Sequence, residues 1–171
     1  MINVGLSAAW WTISQKWRGL WPGVPATLPA DSDKTNKFLV LMTDGANQWY
    51  DWPGGVPGQG DPTIAAYSKD ADYTGYGRLA EGRAGTKNAG ETPAKLNDKM
   101  KIMCDTIKKQ NVTTYTSLYG SSGGASADPF KQCASDSSKY FLAADDAALE
   151  DAFENIGQSI SKLRLTWPGK P

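Results

Sequence analysis

Histidine is absent from the 171 residues. Its absence removes the usual general base near neutral pH, the commonest zinc ligand and every Ser-His or Cys-His couple, which excludes most hydrolase mechanisms. Net charge is missing too. Eighteen Lys plus Arg balance 18 Asp plus Glu, so no global positive field draws in nucleic acid or an anionic membrane face. No apolar run approaches the ~20 residues that span a bilayer. The opening Met1-Ile2-Asn3-Val4-Gly5-Leu6 has neither the basic n-region nor the long apolar core of a secretion signal. As given, the sequence reads as soluble and without an address. Cysteine is scarce, with Cys104 and Cys133 alone, a count that suits reduced thiols or one disulfide equally.

What is present fits one domain, large enough to bury roughly 70% of its unfolded surface. With 18 Gly and 10 Pro the chain is rich in turns, while seven Trp give it a core to build. Ile2, Leu6, Ala9, Trp10, Ile13, Trp17 and Leu20 recur at steps of three and four and predict one amphipathic helix over 2–20. Lys37 to Met42 is a short continuous apolar run, the mark of a parallel strand buried on both faces. Residues 46–94 form a long irregular insertion dominated by Gly, Pro, Tyr, Asp and Trp. Beyond it Leu96, Met100, Met103 and Ile107 mark a helix with lysines on its exposed side, and Val112–Tyr119 reads as a second strand. Asp128-Pro129 starts a short helix, Tyr140–Ala143 is a third strand, and Asp145 or Asp146 caps a last helix. Its apolar positions are Leu149, Phe153, Ile156, Ile160 and Leu163. The alternation is that of an α/β fold.

Three local patterns could carry chemistry. Gly120-Ser121-Ser122-Gly123-Gly124 follows a strand like a hydrolase nucleophile elbow, but Ser122 has no histidine to activate it and the stretch reads as a flexible loop. Asp70, Asp72, Thr74, Gly75 and Glu81 fall in calcium-loop register, although Gly77 stands where such loops carry an aliphatic residue and the flanking helices are missing. Thr43-Asp44-Gly45 places a carboxylate at the carboxyl end of a parallel strand, where open α/β sheets bind ligands; a hairpin turn is the competing reading. One aspartate cannot supply the roughly six oxygens Mg²⁺ requires. Trp10 and Trp17 are expected in the core. Trp49 and Trp52 lie in a polar loop, packed on their own domain or exposed to anchor a partner. Cys104 and Cys133 can be bonded if their Cα atoms come within ~4.4–6.8 Å, or can be two buried thiols. Asn111-Val112-Thr113 is a glycosylation sequon discounted because it overlaps a strand start.

Taken in order, Ile2–Leu6, Leu39–Asn47, Tyr76–Leu79, Cys104 with Lys108, Tyr115-Thr116, Cys133–Ser135, Tyr140-Phe141 and Leu163–Leu165 resemble the C-terminal part of Tad-type (tight adherence, Flp) pilus assembly proteins of the TadG kind. That region is similar to a von Willebrand factor A domain. The resemblance implies that residues 1–171 are the C-terminal portion of a doubly wound, Rossmann-like domain with mostly parallel strands and a 46–94 insertion. It implies a noncatalytic envelope or periplasmic module that acts in pilus assembly and adhesion through pilus or envelope proteins. It makes Asp44 the third-loop aspartate of a metal-ion-dependent adhesion site. The Asp-x-Ser-x-Ser loop and the threonine loop of that site do not occur here, nor does the family's membrane anchor. Mg²⁺ or Ca²⁺ is accordingly expected in the complete domain and no ion tightly held by this chain. Because relatives work outside the cytoplasm, the resemblance favours a Cys104–Cys133 disulfide. The alternatives are an A-type ligand-binding domain that takes its metal ligands from elsewhere, and a serine hydrolase at Ser122.

Overall fold

The computed structural model describes residues 1–49, 74–120 and 127–165. The chain divides into two compact units, one of residues 1–9 with 46–103 and the other of 10–45 with 104–171. Helices α1 (Ile2–Ile13) and α2 (Thr92–Lys108) each contribute to both.

The second unit is built on β1 (Lys37–Thr43), β2 (Val112–Tyr119) and β3 (Tyr140–Ala143), all parallel and ordered β1-β2-β3. The register sets Val40 beside Tyr115 and Leu118 beside Leu142. Helix α3 (Asp128–Cys133) packs on β2, and α4 (Asp146–Leu165) packs on β3 and β2. Successive strand residues point to opposite faces, so two hydrogen bonds identify which helix covers which face. Thr116 Oγ1 donates to the Phe130 carbonyl of α3 at 2.9 Å, and the Tyr115 hydroxyl meets Ser159 of α4 at 2.8 Å. With a helix on each side, Thr114 through Leu118 are all buried. Where β3 is too short to continue the ladder, Ser135 takes its place: its N–H donates to the Thr114 carbonyl and its hydroxyl accepts from the Thr114 N–H. This is an α/β architecture, a parallel three-stranded sheet flanked by helices and compatible with a Rossmann-like fold.

Two expectations about this unit are corrected. Strand β1 is not buried on both faces, because Val40 and Met42 remain 40% and 45% exposed while Leu39 on the other face is buried. Helix α1 does not reach Leu20; it stops at Ile13, where the Lys37 ammonium takes the Ile13 carbonyl at 2.7 Å and the Ala30 carbonyl as well. A cation on the last carbonyls of a helix satisfies groups that a further turn would otherwise use. Buried Ser14 follows and accepts from the Lys16 N–H, opening a single 3₁₀ turn over Gln15–Trp17. The onward chain is fixed by Arg18, which donates to the Pro29 carbonyl and pairs with Asp31. The buried stripe of α1 is Asn3, Leu6 and Trp10, continued by Ser14 just past its end, while Ala9 and Leu20 face solvent.

In α2 the expected Leu96, Met100 and Ile107 are buried, but Met103 is only partly so and Cys104 takes its place in the buried stripe. The helix closes with Asn111 at φ 58°, a left-handed residue just before β2. The last helix differs from its expected pattern, since Ala152 and Ile156 are buried while Phe153 is 44% exposed.

The first unit centres on Trp49, Leu79 and Ala84, with Met1, Tyr76 and Ala89 packed around them. A tight turn joins Thr74 and Gly77 by two backbone hydrogen bonds of 3.0 and 2.8 Å. It leads into a 3₁₀ turn at Leu79–Glu81, whose Glu81 carboxylate accepts from the Arg78 N–H. Gly77 has φ 76°, a left-handed conformation that favours glycine, and a Cβ there would displace the Glu81 carboxylate, 2.6 Å away.

Candidate functional site

Asp44 follows β1 directly, at the carboxyl end of the parallel sheet. Its backbone is shaped by Thr43, whose hydroxyl accepts from the Gly45 N–H at 3.2 Å and donates to the Gly45 carbonyl at 3.1 Å. No antiparallel hairpin forms here among the described residues. The Asp44 side chain is exposed, and none of the described residues bonds its carboxylate.

The neighbouring strand ends are occupied differently. Beyond β2, the Gly120 N–H donates to the Ala143 carbonyl at 2.8 Å. Beyond β3, Asp145 accepts from the Ala148 N–H at 2.9 Å and caps α4. Tyr119 donates its hydroxyl to Asp146, and that carboxylate is the chief reason the phenol titrates above its ordinary value. Strands lie ~4.8 Å apart, so these committed carboxylates sit two strand spacings from the β1 end. Among the described residues no three His, Cys, Asp or Glu converge on one point. A hard divalent cation wants about six oxygens. The described residues around Asp44 offer one free carboxylate and a threonine hydroxyl already engaged, which does not fit a resident ion.

In the first unit, Asn47 is fully buried. Its Oδ1 accepts from the Ile2 N–H at 2.9 Å, satisfying one orphan donor at the start of α1, and its Nδ2 donates to Asn97 at 3.0 Å. Asn3 donates to the Tyr76 hydroxyl at 2.6 Å, and burial raises that phenol's pKa. The Lys99 ammonium lies 5.5 Å from the centre of the same ring. Nothing in periodicity or spacing announces this network.

Cys104 and Cys133 are bonded, with Cα atoms 5.0 Å apart. Lys108 reinforces the same junction by donating to the Gln132 carbonyl in α3 at 2.6 Å and, at 3.4 Å, to that of Ala134 just past its end. Of the other candidates, Ser122, Asp70, Asp72 and Trp52 lie outside the described residues. Glu81, the last position of the calcium-like loop, spends its carboxylate on the Arg78 N–H and on Arg83 at 2.8 Å. Trp10 and Trp49 are buried, whereas Trp17 is only half-buried. Among the described residues, no helix is long and apolar enough to cross a membrane. No protein-family model, no curated protein and no solved structure matches the chain.

Proposed function

We propose that this chain is a noncatalytic adhesion and assembly module, the C-terminal portion of a von Willebrand factor A domain in a Tad/Flp pilus-associated envelope protein, acting through protein contacts. The observation that carries the reading is Asp44, an exposed carboxylate just past a parallel strand at the end of the sheet where α/β folds engage ligands. Two further features support it. The Ile2 N–H to Asn47 bond joins two of the stretches that resemble the family. The Cys104–Cys133 disulfide suits a periplasmic setting. On this reading Asp44 is one corner of a Mg²⁺ or Ca²⁺ site in the complete domain, and the chain by itself holds neither ion tightly.

The test is made in the bacterium that encodes the chain. Deleting it is expected to abolish surface pili and adherence while pilin synthesis continues. Asp44→Ala is expected to reduce both with envelope levels of the protein unchanged. Normal piliation in the deletion strain would overturn the proposal. Calorimetric titration of the isolated chain with Mg²⁺ and Ca²⁺ separates the rival metal-dependent reading, which alone requires saturable tight binding.

A further inference from the structure

Asn111-Val112-Thr113 is the one Asn-x-Ser/Thr sequence in the chain, and it lies where α2 gives way to β2. The overlap with a strand start, which counts against it in sequence, falls on Val112 and Thr113 alone. Asn111 stays outside β2 and exposed. Its backbone is held by the Asn111 N–H to the Lys108 carbonyl and the Gln110 N–H to the Ile107 carbonyl, both at 3.0 Å, with φ 58°. Glycine would serve such a left-handed turn as well, so the turn does not explain why a threonine follows two residues on. Nor does local bonding. Neither the Asn111 side-chain amide nor the Thr113 hydroxyl has a hydrogen-bond partner among the described residues.

The surroundings of Asn111 suit a sugar. It lines a pocket of about 360 Å³ with Gln15, Ser32, Asp33, Lys109 and Gln110, all in the second unit. Gln15 Oε1 is spent on the Ser32 N–H at 3.1 Å, while the side chains of Asp33, Lys109 and Gln110 have no partner among the described residues. Donors and acceptors thus face one space without an apolar side chain, the reverse of a hydrophobic ligand site and a match for a ring of hydroxyls. We propose that Asn111 is the attachment point of an N-linked glycan whose first sugar rests in this pocket. In the transfer, Nδ2 of Asn111 bonds to the anomeric carbon of a sugar activated as a diphosphate ester. The bond from that carbon to the phosphate oxygen breaks, the diphosphate leaves with the electron pair, and Nδ2 gives up one proton. Thr113 lies beside Phe38 once the sheet has formed, so the acceptor stretch is open to a transferase before β1 and β2 pair.

The proposal depends neither on Asp44 nor on pilus assembly. It requires only export, which the Cys104–Cys133 bond suits. For the test, the full chain is purified from the organism that encodes it and cut with trypsin, and the fragment 110–131 is sequenced by electron-transfer mass spectrometry. The fragment is expected to carry the mass of one or more sugars on Asn111. Thr113→Ala is expected to abolish that mass and Thr113→Ser to retain it. Hydrogen exchange at the Ser32 N–H is expected to be several-fold slower in the glycosylated chain than in the same chain made without the transferase. A bare Asn111, sugar carried on a serine or threonine of the fragment instead, or a modification that survives Thr113→Ala would overturn the attachment. Equal exchange at Ser32 would overturn the seating in the pocket.

Discussion

Lys37 shows how one residue can do what its surroundings seem to forbid. It opens the most apolar run of the chain, is itself 8% exposed, and holds the carbonyls of Ile13 and Ala30. Burial, with the Arg18 charge added, lowers its pKa below the ordinary lysine value. The unfolded chain therefore binds this proton more tightly than the folded one, and the group's contribution to stability rises with pH through the window just below 10.5. Lys37→Met keeps the aliphatic stem and removes the donors. Urea unfolding at pH 7 is expected to show a loss of about 1–2 kcal/mol, and the gap between native and variant should widen toward pH 10. A gap that narrows over that range would mean the ammonium is stabilised where it sits.

At the level of elements, α4 offers the sharpest test of packing. Its apolar positions suggested Phe153 as a core residue, yet Ala152 is the one pressed into the core. A short side chain lets the helix approach the sheet, while the larger neighbour turns outward. Ala152→Leu is expected to cost about 1–3 kcal/mol in thermal or urea unfolding through overpacking, and Phe153→Ser no more than about 0.5 kcal/mol. The reverse ranking would move the buried stripe by one residue. The sequence made the element order and the parallel α/β class accessible because each rests on local periodicity or strand composition, whereas two cysteines 29 residues apart left bonded and free thiols both open until the fold brought their Cα atoms to 5.0 Å. The sequence hid the end of α1, which is set by Lys37 from 24 residues away. It hid the one-sided burial of β1, which depends on which helices reach the sheet. Asn47 was invisible as a residue that satisfies α1, since a buried amide carries no pattern of its own.

For the molecule as a whole, β1 is the decisive element. Among the described residues only β2 pairs with it, and Val40 and Met42 lie bare on its open face. An edge strand with an apolar surface invites another chain. Sedimentation at rising concentration is expected to show self-association, and Val40→Lys with Met42→Lys is expected to suppress it, each exposed change shifting stability by no more than about 0.5 kcal/mol. Unchanged association by the double variant would place the contact elsewhere. The bond between Cys104 and Cys133 carries a different lesson, because both sulfur-bearing residues are sealed from solvent once folding is complete. A thiol-exchange enzyme meets these sulfurs only when the chain opens around them, so the bond is expected to resist reduction by such an enzyme for as long as the native fold stays closed over it.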